Sequence, residues 1–380
     1  MQRCYLDHNA TTPLAPAVLE EMVRALRDYP GNPSSTHDEG VEARERLDDA
    51  RARVARCLGI EPEEVTFTGG GTEANNLVIL GVCLAARTRP AHIVTTAIEH
   101  ASVLETCRAM ERHGLAEVSY IRPTSDGLVT VHDIELAMRP DTALVSVMAA
   151  NNETGARMPI DQLAELTRKI GAAFHTDAVQ LAGKYELCPR AWGVDFMTLS
   201  AHKFNGPKGT GILYRRAGVH WEAPLNGGEQ EHGVRPGTEN FAGILGAALA
   251  LELAVRSRAD DRCKQLRDRL WQGLSQKLDN LTLNTPLERS VDNTLNVSFE
   301  GVKADSLLLA LNLAGISAST GSACHARERK PSHVLTAMGR PESVARSAIR
   351  FSLGQTTTEA DIERTIESTC KAVARLRQFS

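Results

Sequence analysis

Val194-Asp195-Phe196-Met197-Thr198-Leu199 runs directly into Ser200-Ala201-His202-Lys203, and Phe204-Asn205-Gly206-Pro207-Lys208-Gly209-Thr210-Gly211 follows at once. A short apolar run closed by a Gly/Pro turn reads as a buried strand, and the lysine falls at its carboxyl end. An amine works as a nucleophile only when unprotonated, so it must be partly desolvated and face the carbonyl it condenses with. A strand terminus opening into a Gly-rich turn supplies that placement. Lys203 is therefore a candidate for Schiff-base chemistry. Most lysines are solvated surface charges, so the reading depends on what else converges with it.

On both sides of this run, strand and helix patterns alternate. Strand candidates are residues 65–68, 92–96, 117–121, 143–148, 172–176, 194–199 and 211–214. Helical periodicity covers 16–29, 39–58, 72–86, 100–113, 132–138 and 161–170. Such alternation predicts an α/β protein with a mostly parallel central sheet and helices on both faces. Ligands in such sheets gather at the carboxyl ends of the strands. Residues 241–274 read as one long helical stretch, after which the pattern changes to strand 294–299, helix 305–313, strand 348–353 and a helix from Thr358. A smaller α+β domain is expected there.

The chain has 380 residues, of which 42% are hydrophobic, enough to build two domains with buried cores. Its net charge of −4, from 43 basic and 47 acidic residues, offers no basic field for direct nucleic-acid binding and points to a small-molecule substrate. Eight cysteines are scattered without a CxxC pair, and no charged-then-apolar leader opens the chain. That pattern reads as a reduced, cytoplasmic protein. No apolar run approaches the roughly 18 residues that would span a bilayer, so no membrane role is expected.

Several motifs fall at the expected strand ends. Thr68-Gly69-Gly70-Gly71-Thr72-Glu73 joins a strand to a helix, so the backbone can approach a ligand while helix-start N–H groups point at it. This is an anion cradle suited to phosphate. Its spacing fits neither the dinucleotide fingerprint nor the Walker loop. Asp177 closes the run Ala172-Ala173-Phe174-His175-Thr176, and a carboxylate there must find a partner or shift its pKa. A protonated pyridine nitrogen is one such partner, and a helix cap is the plainer alternative. Gln180 follows three residues on. Asn151-Asn152-Glu153-Thr154-Gly155 and Glu99-His100 follow two other strands, where an imidazole could stack on a flat ring and move protons.

Taken in order, Tyr5-Leu6-Asp7-His8-Asn9-Ala10-Thr11-Thr12-Pro13, Gly31-Asn32-Pro33-Ser34-Ser35, Thr72-Glu73-Ala74-Asn75-Asn76, Asn151-Asn152-Glu153-Thr154-Gly155, Thr176-Asp177-Ala178-Val179-Gln180, Ser200-Ala201-His202-Lys203, Arg235-Pro236-Gly237-Thr238-Glu239-Asn240 and Ser319-Thr320-Gly321-Ser322-Ala323-Cys324 give a chain that resembles the NifS/IscS-type cysteine desulfurases nearly end to end. The resemblance implies a fold-type I, pyridoxal 5'-phosphate-dependent transferase. Residues 16–260 would form the large cofactor-binding domain and 261–380 the small domain with the catalytic cysteine loop, which residues 1–15 would join. Lys203 would carry the cofactor, Asp177 would pair with its ring nitrogen, Gln180 and Asn151 would meet the ring oxygen, and His100 would stack on the ring and assist proton transfer. Gly71, Thr72, Ser200 and His202 would bind the phosphate, with Thr238 reaching it from the second subunit of a homodimer. Arg350 would grip the carboxylate of L-cysteine, also near Asn151, since arginine suits a bidentate clamp.

The resemblance makes Cys324 the nucleophile that takes sulfur as a persulfide, yielding L-alanine. Its small-residue approach, Ser317-Ala318-Ser319-Thr320-Gly321-Ser322-Ala323, reads as a mobile exposed loop, and Arg327, Arg329 and Lys330 would favour its thiolate. The chain departs from many relatives at His325-Ala326, where Thr-Ser is common, and has Gly71 where alanine is common. The loop length favours delivery to a sulfur-acceptor protein, such as an iron–sulfur scaffold. No resident metal is expected, although Cys324 could ligate a cluster transiently. Selenocysteine lyase or another class V aminotransferase-like activity is the enzymatic alternative, and a catalytically silent sulfur carrier is the other. The cysteine loop argues against simple transamination. Retention of Lys203, Asp177 and His100 argues against silence.

Overall fold

A computed structural model describes residues 3–258, 261–321 and 331–378. In chain order the elements are β1 (Cys4–Tyr5), α1 (Pro16–Asp28), α2 (Asp38–Leu58), β2 (Val65–Thr68), α3 (Gly71–Ala85), β3 (Ala91–Thr96), α4 (Ala101–Arg112), β4 (Ala116–Ile121), α5 (Val131–Ala137), β5 (Thr142–Ser146), α6 (Ile160–Lys169), β6 (Ala173–Asp177), α7 (Pro189–Trp192), β7 (Phe196–Ser200) and β8 (Gly211–Arg215). There follow α8 (Phe241–Arg256), α9 (Arg262–Ser275), β9 (Leu281–Leu283), β10 (Thr294–Phe299), α10 (Ala304–Leu313), β11 (Ile316–Ser317), α11 (His333–Ala337), α12 (Glu342–Ala345), β12 (Ala348–Ser352) and α13 (Glu359–Arg377).

Seven strands form one sheet in the order β2-β8-β7-β6-β5-β3-β4. From β7 to β4 every pairing is parallel, as the helix-separated strands require. Only β8 runs antiparallel to both neighbours, because the turn after β7 is too short for a crossover. The mostly parallel α/β sheet expected from the alternation is thus present. One face packs Leu77, Val78, Val103 and Cys107 of α3 and α4, and the other packs α1, α2, α6 and α8 through Val18, Val54, Leu163 and Leu251. Sandwiched this way, β5, β6 and β7 end at a common rim.

A second apolar cluster joins the antiparallel sheet β12-β10-β9 to α9, α10 and α13 through Leu270, Leu295, Phe351, Leu307 and Ile362. Cys4 and Leu6 belong to it, and β1 pairs in parallel with β11. The chain then crosses to the large sheet, where the Thr12 N–H donates to the His202 carbonyl at 2.9 Å. This crossing brings Asn9 to the rim.

The expected single helix over 241–274 is instead two. α8 ends at Arg256 and packs on α1 and α2, whereas α9 starts at Arg262 and packs on α13. One straight helix cannot serve two layers facing different ways. The strands β1, β9 and β11 and the helices α7, α11 and α12 were not expected, since two to five residues are too few to show a period. Among the described residues, no helix is long and apolar enough to cross a membrane.

Candidate active site

The rim opens into a cavity of about 860 Å³ lined from both layers. β2 ends at Thr68, Gly70 takes φ 149°, ψ 176°, and α3 starts at Gly71, so the N–H groups of the first helical turn face the cavity. Gly69 donates its N–H to Glu73 Oε2 at 3.0 Å, and Glu73 Oε1 pairs with Arg235 Nε at 2.9 Å. Ser200 and His202 line the same end. Burial, then the charges of Lys203 and Lys208, push the His202 imidazole down to about 4, so it is a neutral donor at physiological pH.

Asp177 closes β6 and is buried. Its Oδ1 accepts from the Val179 N–H at 3.0 Å and its Oδ2 from Asn75 Nδ2 at 2.8 Å. Asn75 Nδ2 also donates to Ser102 Oγ at 2.9 Å, and Ser102 Oγ meets His100 Nδ1 at 2.7 Å. Because the Ser102 N–H also donates to His100 Nδ1, that nitrogen is an acceptor and the ring proton sits on Nε2. One hydrogen-bonded chain therefore orients both the imidazole and the carboxylate. Beneath them His175 is fully buried between Ser146 and Thr198, and burial holds its pKa at about 4. Burial likewise raises Glu99, just before His100, to about 8, so it stays protonated near neutrality.

Lys203 lies on a 3-10 turn after β7. Its Nζ donates to the Asn9 carbonyl at 2.6 Å and the Ala10 carbonyl at 2.8 Å. Gln180 Nε2 donates to the same Asn9 carbonyl at 3.1 Å. From β12, Arg350 enters the cavity only 2% exposed, with Nη2 on Asp7 Oδ1 at 2.7 Å and Nη1 on the Asn152 carbonyl at 2.8 Å. Its Nε has no partner among the described residues.

Of the residues expected from sequence, Gly71, Thr72, His100, Asp177, Gln180, Ser200, His202, Lys203 and Arg350 line this one cavity. Asn151 does not. Its amide donates to the Ile98 carbonyl at 2.9 Å, and its Oδ1 accepts from the Glu153 and Thr154 N–H groups, so it holds its own turn while Asn152 lines the cavity in its place. Thr238 is exposed and outside the cavity of its own chain. Cys324 and the basic residues Arg327, Arg329 and Lys330 lie outside the described residues. Asn9, Asn75 and Ser102, which hydrogen-bond to the candidate residues, were not singled out from sequence, and neither was Lys184, which bonds to Gln180. Asn75 stood inside a quoted motif, and Lys184 stands four residues after Gln180, but neither spacing announces a role.

The residues present suit a flat, aldehyde-bearing phosphate ester: helix-start N–H groups for its phosphate, a buried carboxylate for a ring cation, and an amine at the third corner. The Aminotransferase class-V family model matches residues 4–365. The chain is 41% identical over 378 residues to the cysteine desulfurase IscS of Dictyoglomus turgidum, covering 99% of this chain and 96% of that one. It is 43% identical over 381 residues to cysteine desulfurase 2 of Trichormus variabilis, covering 100% and 95%. Among solved structures, a NifS-like protein superposes with a TM-score of 0.92 at 38% identity, covering 98% of this chain and 100% of that one. SspA in complex with cysteine superposes at 0.82 with 34% identity, covering 92% and 98%. The chain belongs to the class V aminotransferase family. Within it, the chain is a member of the NifS/IscS-type cysteine desulfurases.

Proposed function

We propose that this chain is a pyridoxal-phosphate-dependent cysteine desulfurase that converts L-cysteine to L-alanine and takes the sulfur as a persulfide on Cys324. The observation that carries the reading is the convergence of Lys203, Asp177, His100 and Gly69–Thr72 with Arg350 on one cavity. Gly71, Thr72, Ser200 and His202 would hold the phosphate, Asp177 the ring nitrogen, Gln180 and Asn152 the ring oxygen, and His100 the ring face. When bound, the cofactor supplies an electron sink for the pair left at the substrate's Cα.

The chain's own groups do the rest. The Lys203 amine takes the α-proton, and the orientation of its Nζ is set by the Asn9 and Ala10 carbonyls. Arg350 binds the substrate carboxylate through a guanidinium that the Asn152 carbonyl and Asp7 hold in place. His100 keeps its mobile proton at Nε2 because Nδ1 accepts from Ser102. Cys324 Sγ forms an S–S bond to the substrate sulfur while the substrate's Cβ–S bond breaks, and the carbon takes up a proton to give alanine.

The exposed position of Thr238, outside its own cavity, supports a homodimer in which that hydroxyl serves the partner's phosphate site. In this reading the protein acts in the cytoplasm and passes its sulfur to an acceptor protein for iron–sulfur cluster assembly or another thiolation. Incubation of the yellow holoprotein with L-cysteine should release alanine and make the Cys324 peptide heavier by one sulfur. Alanine release with the added sulfur on another cysteine would remove Cys324 from the reaction. A coloured protein that releases no alanine would overturn the whole reading.

A further inference from the structure

Lys184 is a second amine beside Lys203 to which the reaction above gives no task. It lies four residues beyond Gln180 in the turn after β6 and is only partly exposed. Both lysines reach Asn9: Lys203 Nζ donates to its carbonyl at 2.6 Å, and Lys184 Nζ to its Oδ1 at 3.4 Å. Lys184 Nζ also donates to Gln180 Oε1 at 3.2 Å, while Gln180 Nε2 donates to the Asn9 carbonyl at 3.1 Å. Asn9 Oδ1 is shared with Asn293 Nδ2 at 3.1 Å. Among the described residues no carboxylate forms an ion pair with Lys184, whose hydrogen-bond partners are Asn9 and Gln180, and the titratable groups that act on it are Lys203, Cys263 and Arg350.

A side-chain amide has an acceptor edge and a donor edge, and an ammonium can only donate. Turned over, Gln180 would set its NH2 against the Lys184 NH3+ and its oxygen against the Asn9 carbonyl, losing both bonds. We propose that Lys184 is a positioning residue for the cofactor end of the site, fixing the Gln180 amide so that its NH2 group, with one N–H on the Asn9 carbonyl, has the other to serve the ring oxygen, and repelling a proton on Lys203 through its charge. The second effect has a measurable counterpart on Lys184 itself. Burial first, then the positive charge of Lys203, push the Lys184 amine down to about 7, so Lys184 carries the charge that repels a proton on Lys203 only below about that pH. The buried His8, whose imidazole burial and Lys184 together hold at about 4, adds no competing charge near neutrality.

The proposal rests on the reading that this cavity takes pyridoxal phosphate. A wild-type protein without a visible cofactor band would sink that reading first, so the two failures are distinguishable. The experiment compares Lys184→Met, Lys184→Gln and Lys184→Arg as holoproteins by two readouts: the pH midpoint of the visible band, and the rate of cofactor release into a scavenging phosphatase. Lys184→Met, which removes charge and donor, should raise the midpoint by about one pH unit and speed release roughly tenfold. Lys184→Gln keeps a donor without charge, so release should return toward the wild-type rate while the midpoint stays raised. Lys184→Arg keeps both and should restore both. A merely structural lysine would alter release without moving the midpoint. Should Lys184→Met fail to fold, an unshifted midpoint in Lys184→Gln still overturns the proposal.

Discussion

Backbone far from Lys203 in sequence sets the orientation of its amine. Its Nζ is held by carbonyls of Asn9 and Ala10, a separation of 194 residues to Asn9. Replacing Lys203 with alanine should abolish the visible band and turnover together, whereas borohydride reduction of the wild type, followed by peptide mapping, should label Lys203. Label on Lys184 or Lys208 would move the covalent site. At this scale the sequence picked out residues that the fold brings to one cavity, because an amine, a carboxylate and an imidazole at strand ends are chemically conspicuous. It misjudged Asn151 against Asn152, since adjacent residues in a turn differ only in where their side chains point. Here the Asn151 Oδ1 caps the Glu153 and Thr154 N–H groups, leaving the next residue to face the cavity.

At the scale of elements, the start of α3 depends on two glycines with different demands. Gly70 has φ 149°, a region that side chains avoid, whereas a Cβ on Gly71 would meet Val179 Cγ2 at 3.2 Å and Ser200 Cβ at 3.5 Å, contacts that small shifts relieve. Gly70→Ala should therefore cost about 1–3 kcal/mol in chemical denaturation, and Gly71→Ala no more than about 0.5 kcal/mol. Equal costs at the two positions would contradict this account. Across the same edge, Arg51 of α2 grips Glu231 through two bonds of 2.9 and 2.7 Å, and Glu231 also accepts the Phe67 N–H at 2.8 Å. This anchors a segment in which Glu231 and His232 both take positive φ, 49° and 57°, before it reaches Arg235 and Thr238. Arg51→Met leaves a buried carboxylate without its cation and should cost about 3–5 kcal/mol, with much of that loss recovered in the Arg51→Met, Glu231→Met double variant. A single-variant cost below about 1 kcal/mol would show that the pair does not hold the segment.

Among the described residues, burial holds four histidines in neutral form: His8, His92 and His175 are buried and His202 is half-buried. Burial is the first cause at His8, His175 and His202, each held at about 4. The unfolded chain protonates them near 6.5, so between about 6.5 and 4 it binds more protons than the native state, and stability is lost as pH falls through that window. Glu99, raised to about 8, acts in the opposite direction above about 4.5 but is one group against four. Thermal melting should show a falling Tm from pH 6.5 to 4.5, with a shallower fall in His175→Gln, and an unchanged slope in that variant would remove His175 from the account. The sequence by itself determined the α/β alternation, the strand ends to within about two residues and the candidate residues standing on them, because solvent and core impose a period of two or 3.6 on neighbouring residues and ligand-facing groups fall where that period stops. Only the tertiary structure decided the strand order with its antiparallel β8, the break between α8 and α9, and the meeting of Asn9, Lys184, Gln180 and Lys203. Those outcomes depend on how two packed layers face each other, and contacts between residues far apart in the chain leave no periodic trace in it.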